Sequence, residues 1–185
     1  MTADVGGGLA TAYVGLGANL DDPQRQVERA IAELAMLPDS RLVAASTLYR
    51  TAPVGPGAQP DYVNAAARLL TRLDPVALLA ALQGIERAHG RMRDGTRWGP
   101  RTLDLDLLLY GDLRCDLPGL NLPHPELHRR AFVLVPLLDV APSDLTVPGQ
   151  GRLADLARAL PQSDIVPLPT GVGGLPGASA QAALS

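Results

Sequence analysis

The sequence predicts an α+β fold: a ferredoxin-like βαββαβ antiparallel sheet with helices packed on one face and additional C-terminal elements. Three observations lead there. Segments of helical spacing alternate with short apolar runs in the order of that motif across residues 11 to 110. Each of the two helical segments opens on aspartate followed by proline, the chemistry of a capped first turn. A chain of 185 residues supplies one sizeable core, and neither an internal repeat nor a strong linker divides it.

Residues 1–10 are small, polar and glycine-rich, and are expected to form a flexible N-terminus. TAYVGLGANL follows as a buried strand over Ala12 to Leu16 that ends in a Gly-x-Gly turn. Asp21, Asp22 and Pro23 start a helix whose apolar residues Val27, Ile31, Leu34 and Leu37 recur at helical spacing. RLVAASTLYRTAPVG is a second strand running into a proline-broken loop, and YVNAAARLLTRL a third, although its alanines suit a helix as well. Asp74 and Pro75 begin the second helix, with Leu78, Leu79, Leu82, Ile85 and Glu86 at three- and four-residue steps, and Gly90 stops it.

RMRDGTRWGPR is then a charged loop feeding the strand LDLDLLLY. After a turn at Gly111 and Asp112 come an irregular stretch to LPHP, a helix within ELHRRAFVLVPLLDVAP and a last helix near RLADLARAL. The expected domain covers residues 11–165. Residues 166–185, rich in proline, glycine and alanine, are expected to be a flexible tail with little role in the core.

Composition narrows the functional classes. A net charge of −3 and 3% aromatic residues argue against an RNA-binding sheet, which needs a basic surface and exposed aromatics. No stretch approaches the roughly 20 apolar residues of a membrane span. The N-terminus lacks the basic region of a secretory signal, and the single cysteine, Cys115, rules out an intrachain disulfide framework, so a cytoplasmic location is expected. All 16 basic residues are arginine, which excludes a lysine-dependent phosphate loop and leaves phosphate handling to arginine or metal.

The chemistry concentrates in RWGPRTLDLDLLLYGD, residues 97–112. In a strand, Asp104 and Asp106 project to one face while Leu103, Leu105, Leu107 and Leu109 project to the other. Two neighbouring carboxylates repel, so the acidic face asks for a partner. Arg91, Arg93, Arg97 and Arg101 stand close by in sequence, and ion pairs at the sheet end are one answer. A divalent cation is the other: Mg²⁺ takes one or two carboxylates, water and phosphate oxygens, while arginine forks suit the remaining phosphate charge. Trp98, the only tryptophan, is either a buried plug or an aromatic that swings over a planar ligand.

RWGPRTLDLDLLLYGD resembles the signature of the 6-hydroxymethyl-7,8-dihydropterin pyrophosphokinase family of the folate pathway. YVGLGANL, STLYRTAPVGPGAQPDYVNAA and LPHPELHRRAFVLVPLLDVAP resemble further blocks of that family, in the family's order. The resemblance implies Mg²⁺-dependent transfer of the β,γ-pyrophosphoryl unit of ATP to the pterin hydroxymethyl group, with release of AMP. It implies two Mg²⁺ ions at Asp104 and Asp106, and Arg91 and Arg101 steadying the transferring group. On the ATP side it implies Gln83, Glu86, Arg93, Trp98, Leu107, His124 and Arg130, with Arg93 on a mobile loop. For the pterin it implies Thr51, Pro53, Val54, Tyr62, Asn64 and Phe132. A monomer acting on small molecules, with no nucleic-acid or membrane partner, is expected. Asp94, Gly84, Gly119 and Pro125 depart from residues found in other members at the edge of the nucleotide site.

Overall fold

The structure, a computed structural model, describes residues 8–53, 58–90 and 102–169. Its elements in chain order are β1 (Ala10–Ala18), α1 (Pro23–Ala35), β2 (Ser40–Ala45), β3 (Tyr49–Thr51), β4 (Tyr62–Thr71), α2 (Pro75–Ala88) and β5 (Asp104–Tyr110). There follow a hairpin of β6 (Cys115–Leu117) and β7 (Leu120–Leu122), a single 3₁₀ turn (Leu127–Arg129), and α3 (Ala131–Val140). A second small hairpin of β8 (Thr146–Val147) and β9 (Gly151–Arg152), α4 (Leu153–Arg158) and β10 (Ile165–Pro167) complete the described chain.

The main sheet is antiparallel and runs β10-β3-β4-β1-β5, with β2 also paired to β4. β1 is thus an interior strand, buried without interruption over Ala12, Tyr13 and Val14 and alternating from there at the half-buried Gly15 and Gly17. It is longer than expected: the strand continues through Gly15 and Gly17 to Ala18 instead of turning there. β4 is a strand despite its alanines. Ala65 and Ala67 face one helix layer and Ala66 the other, where small side chains let both layers approach the sheet.

The expected second strand is split into β2 and β3. Between them Ser46 replaces the ladder with its own side chain: its N–H donates to the Ala66 carbonyl, and its Oγ accepts from the Ala66 N–H, both at 2.8 Å. Residues expected to be irregular before LPHP instead form the β6–β7 hairpin, with Gly119 in the left-handed region at φ 83°. Ordered pairing also reaches into the segment read as a tail. β10 pairs with β3, and the Leu168 N–H donates to the Leu48 carbonyl at 2.8 Å.

α1 and α2 pack on one face, burying Val27, Ala30, Leu34, Leu78, Leu82 and Ile85 against Val14, Leu16, Leu69, Leu105 and Leu107. The C-terminal elements cover the opposite face. There Leu127, Leu134, Leu137, Val140, Leu153 and Ala157 pack on Tyr13, Ala66, Leu108 and Leu109. Asp74 caps α2 with one carboxylate oxygen accepting the Val76 and Ala77 N–H groups, both at 2.9 Å. At its other end the wholly buried His89 side chain docks on α1. Its Nδ1 lies 2.6 Å from Gln26 Oε1 and its Nε2 3.1 Å from Glu33 Oε2.

One expectation about β5 fails halfway along. Val14 opposes Leu107 but Tyr13 opposes Leu109, so Leu108 is an extra, bulged residue. Leu109 therefore turns to the α3 face, and Tyr110 returns to the α1–α2 core, where its hydroxyl donates to the Leu73 carbonyl at 2.8 Å. The acids lie before the bulge and keep the simple alternation.

α3 is fastened across the β2–β3 break by Asp139, whose Oδ2 accepts from the Thr47 N–H at 3.1 Å and the Tyr49 hydroxyl at 2.9 Å. Burial, then the hydrogen bond to Asp139 and its charge, push the Tyr49 phenol up to about 12. Asp139→Ala is expected to move that titration down while leaving it above the ordinary tyrosine value, because burial remains. It should also cost about 1 kcal/mol of stability. Absorbance titration of tyrosinate, with Tyr49→Phe to assign the band, checks this; an unmoved Tyr49 transition defeats the assignment.

Candidate active site

Opposed residues in an antiparallel pair share a face, and the register places the polar side chains in three adjoining rows. Tyr49, Asn64, Gly17 and Asp104 oppose one another across β3, β4, β1 and β5. On one side of that row Ala66 opposes Gly15 and Gly15 opposes Asp106, and on the other Thr51 opposes Tyr62. Leu103, Leu105 and Leu107 belong to the α1–α2 core. Both carboxylates therefore point away from that core, onto the face that α3 covers farther along.

Gly15 and Gly17 make this arrangement possible. Between Asn64 and Asp104 the sheet carries no side chain, and the two positions are roughly 10 Å apart, two strand spacings. A Cβ at position 17 would sit 3.1 Å from Asn64 Oδ1, so only glycine leaves that amide where it is. Asn64 Nδ2 in turn donates to Thr51 Oγ1 at 2.8 Å, and both residues are buried. Glycines two apart are the sequence signal for this: in a strand they mark one face without side chains, and the Gly-x-Gly turn expected here is replaced by that strand.

The outer edge of β5 is approached from two sides. Glu86, near the C-terminal end of α2, accepts the Leu105 N–H at 2.8 Å through Oε1. His124 donates its backbone N–H to the Leu108 carbonyl at 2.9 Å, which brings the imidazole Nε2 to 3.9 Å from Asp106 Oδ2. The Glu126 N–H donates to His124 Nδ1 at 3.2 Å, so a neutral ring carries its proton on Nε2, the nitrogen facing the acid. Burial and then the nearby Arg130 charge lower the His124 pKa, against the opposing pull of Asp104 and Glu126. Both causes favour the neutral ring, in which Nε2 carries the donor hydrogen.

The structure brings together Asp104, Asp106, Asn64, Thr51 and Tyr62 on one face, with His124 at the edge. Pro53 lies just past β3, and Gln83 is half-buried on α2 one turn before Glu86. The Leu107 side chain is buried in the apolar core, on the face its alternation with Asp106 predicts, so its backbone is the part left for a nucleotide contact. Phe132 stands with Arg130, whose guanidinium lies 5.9 Å from the ring centroid. Together with Glu126, Arg129, Leu160 and Pro161 they line a groove of about 360 Å³ that includes none of Thr51, Tyr62 or Asn64. Val54, Arg91, Arg93, Trp98 and Arg101 lie outside the described residues.

Two carboxylates sharing a sheet face beside His124, with the Asn64 amide across a glycine floor, are suited to a divalent cation and a small polar molecule. Comparison with known proteins identifies the family. The family model for 7,8-dihydro-6-hydroxymethylpterin-pyrophosphokinase matches residues 13–142. The 2-amino-4-hydroxy-6-hydroxymethyldihydropteridine pyrophosphokinase of Pseudomonas aeruginosa is 51% identical over 161 residues, covering 87% of this chain and 98% of that protein. The Haemophilus influenzae enzyme of the same name is 42% identical over 160 residues, covering 86% of this chain and 99% of that one. Among solved structures, Plasmodium falciparum HPPK-DHPS A437G with pteroate has a TM-score of 0.64 at 13% identity, a likeness of fold that covers 86% of this chain and 45% of that longer chain. This chain belongs to the 7,8-dihydro-6-hydroxymethylpterin-pyrophosphokinase family and is a pyrophosphokinase.

Proposed function

We propose that the protein transfers pyrophosphate from ATP to the hydroxymethyl group of 6-hydroxymethyl-7,8-dihydropterin, giving AMP and the pterin diphosphate, a step of folate biosynthesis. The observation that carries this reading is the common face of Asp104, Asp106 and Asn64, with Gly17 between Asn64 and Asp104. In the reaction the pterin hydroxyl oxygen bonds to the β-phosphorus of ATP. The bond from that phosphorus to the α,β-bridging oxygen breaks, AMP leaves with the oxygen, and the hydroxyl proton passes to solvent.

The donor set fits Mg²⁺. Asp104 and Asp106 are hard oxygen ligands, and among the described residues no group of three or more His, Cys, Asp or Glu gathers into a closed cage. Asp104 and Asp106 would hold the two Mg²⁺ ions, which would supply charge neutralisation to the polyphosphate. The protein's own groups do the rest. Asn64 offers a donor and an acceptor to the pterin edge, with Thr51, Pro53, Val54 and Tyr62 around it and Phe132 as the second aromatic. Arg91 and Arg101 steady the transferring group, while Gln83, Arg93, Trp98, His124 and Arg130 hold ATP. His124 Nε2–H suits a phosphate oxygen, being a donor fixed by the bond at Nδ1.

The strand order, with β2 and β3 as one split edge, supports the ferredoxin-like reading of the sheet. No helix among the described residues is long and apolar enough to cross a membrane. A cytoplasmic monomer acting on small molecules is part of the same proposal, supported by the lone Cys115.

Incubation with ATP, Mg²⁺ and the hydroxymethyl pterin is expected to release AMP stoichiometrically with pterin diphosphate; ADP as the nucleotide product would overturn the proposal. Asp104→Ala and Asp106→Ala should each lower turnover by roughly a hundredfold or more, with the melting temperature kept within about 4 °C. Wild-type rates in either variant would remove the metal assignment. For Arg91→Ala, kcat should fall by about a hundredfold while the KM for ATP changes little, the signature of an interaction made in the transition state. A defect confined to KM would reassign that arginine to ground-state binding.

A further inference from the structure

α2 packs on the sheet face opposite the Asp104 and Asp106 carboxylates, yet one of its side chains reaches the strand between them. Glu86 is 2% exposed, and its Oε1 accepts the Leu105 N–H at 2.8 Å. Leu105 opposes Leu16 in the ladder, but its amide turns outward, to the side where β5 has no strand neighbour in the sheet. A buried N–H on such an edge needs an acceptor, and here a carboxylate supplies it.

The need for an anchor at this point is visible in the same strand. β5 bulges at Leu108, only a few residues beyond Asp106. A bulge or one-residue slip displaced toward the start of the strand would turn one or both acids into the apolar core, because side-chain direction alternates at every residue. We propose that Glu86 is a positioning residue for the aspartate pair: by holding the Leu105 amide it fixes the backbone between Asp104 and Asp106, and with it the spacing of their carboxylates. This inference rests on the pyrophosphokinase reading. It moves Glu86 from the nucleotide side, where the family resemblance puts it, to the strand.

Glu86→Gln keeps an acceptor oxygen in the same place, whereas Glu86→Met keeps the volume and removes the acceptor. In E86M the Leu105 amide should lose its protection from hydrogen exchange, read by NMR. The Mn²⁺ concentration for half-saturation, measured by EPR at saturating non-hydrolysable ATP analogue, should rise about tenfold or more. Analogue affinity at saturating metal should stay within about twofold, and E86Q should restore both Leu105 protection and metal affinity, which sets the effect apart from a loss of packing alone.

The opposite pattern overturns the proposal: analogue affinity lost in E86M or E86Q while metal half-saturation and Leu105 protection hold, as expected of a nucleotide contact. Should E86M fail to fold, E86Q decides by the same two readouts. Neither readout requires turnover, so a wild-type protein that releases no AMP would defeat the activity proposal and leave this test standing on its own result.

Discussion

Strict alternation along the first half of β5 is the constraint on which the molecule depends. It directs Leu105 and Leu107 into the core beneath α1 and α2 and, by the same geometry, turns Asp104 and Asp106 outward. Neither half of that pattern is useful without the other. The leucines supply the burial that holds an edge strand in place, and the acids can be tolerated because their neighbours are already fixed. β1 enforces the arrangement from the centre of the sheet, and its two glycines keep the floor beside the acids clear.

Most of this was legible in the residues. The leucine–aspartate repeat gave the two faces of β5, and the Asp–Pro starts gave both helices, since capping and periodicity are local properties of the chain. What escaped was set by partners distant in sequence. Ser46 breaks an edge strand because its hydroxyl can stand in for a carbonyl opposite Ala66, which no local pattern announces. β10 joins the sheet because β3 offers it a free edge, although its own sequence, with Pro167, reads as loop.

The candidate site was legible to the same degree. Asp104, Asp106, Asn64 and Thr51 share a face as their alternation requires, whereas the link from Glu86 to Leu105 depends on how α2 lies against the strand. Phe132 shows a further limit. Its position after Arg130 puts it at the start of α3, and the side chain it meets is that arginine, in a groove shared with Leu160 and Pro161.

The extra residue at Leu108 lets a single strand serve two masters. Upstream of it the chain answers to the helices beneath the sheet; downstream, Leu109 answers to α3 and only Tyr110 turns back. Because the register shift falls after Asp106, the faces chosen by Leu109 and Tyr110 are set independently of the outward direction of the two acids.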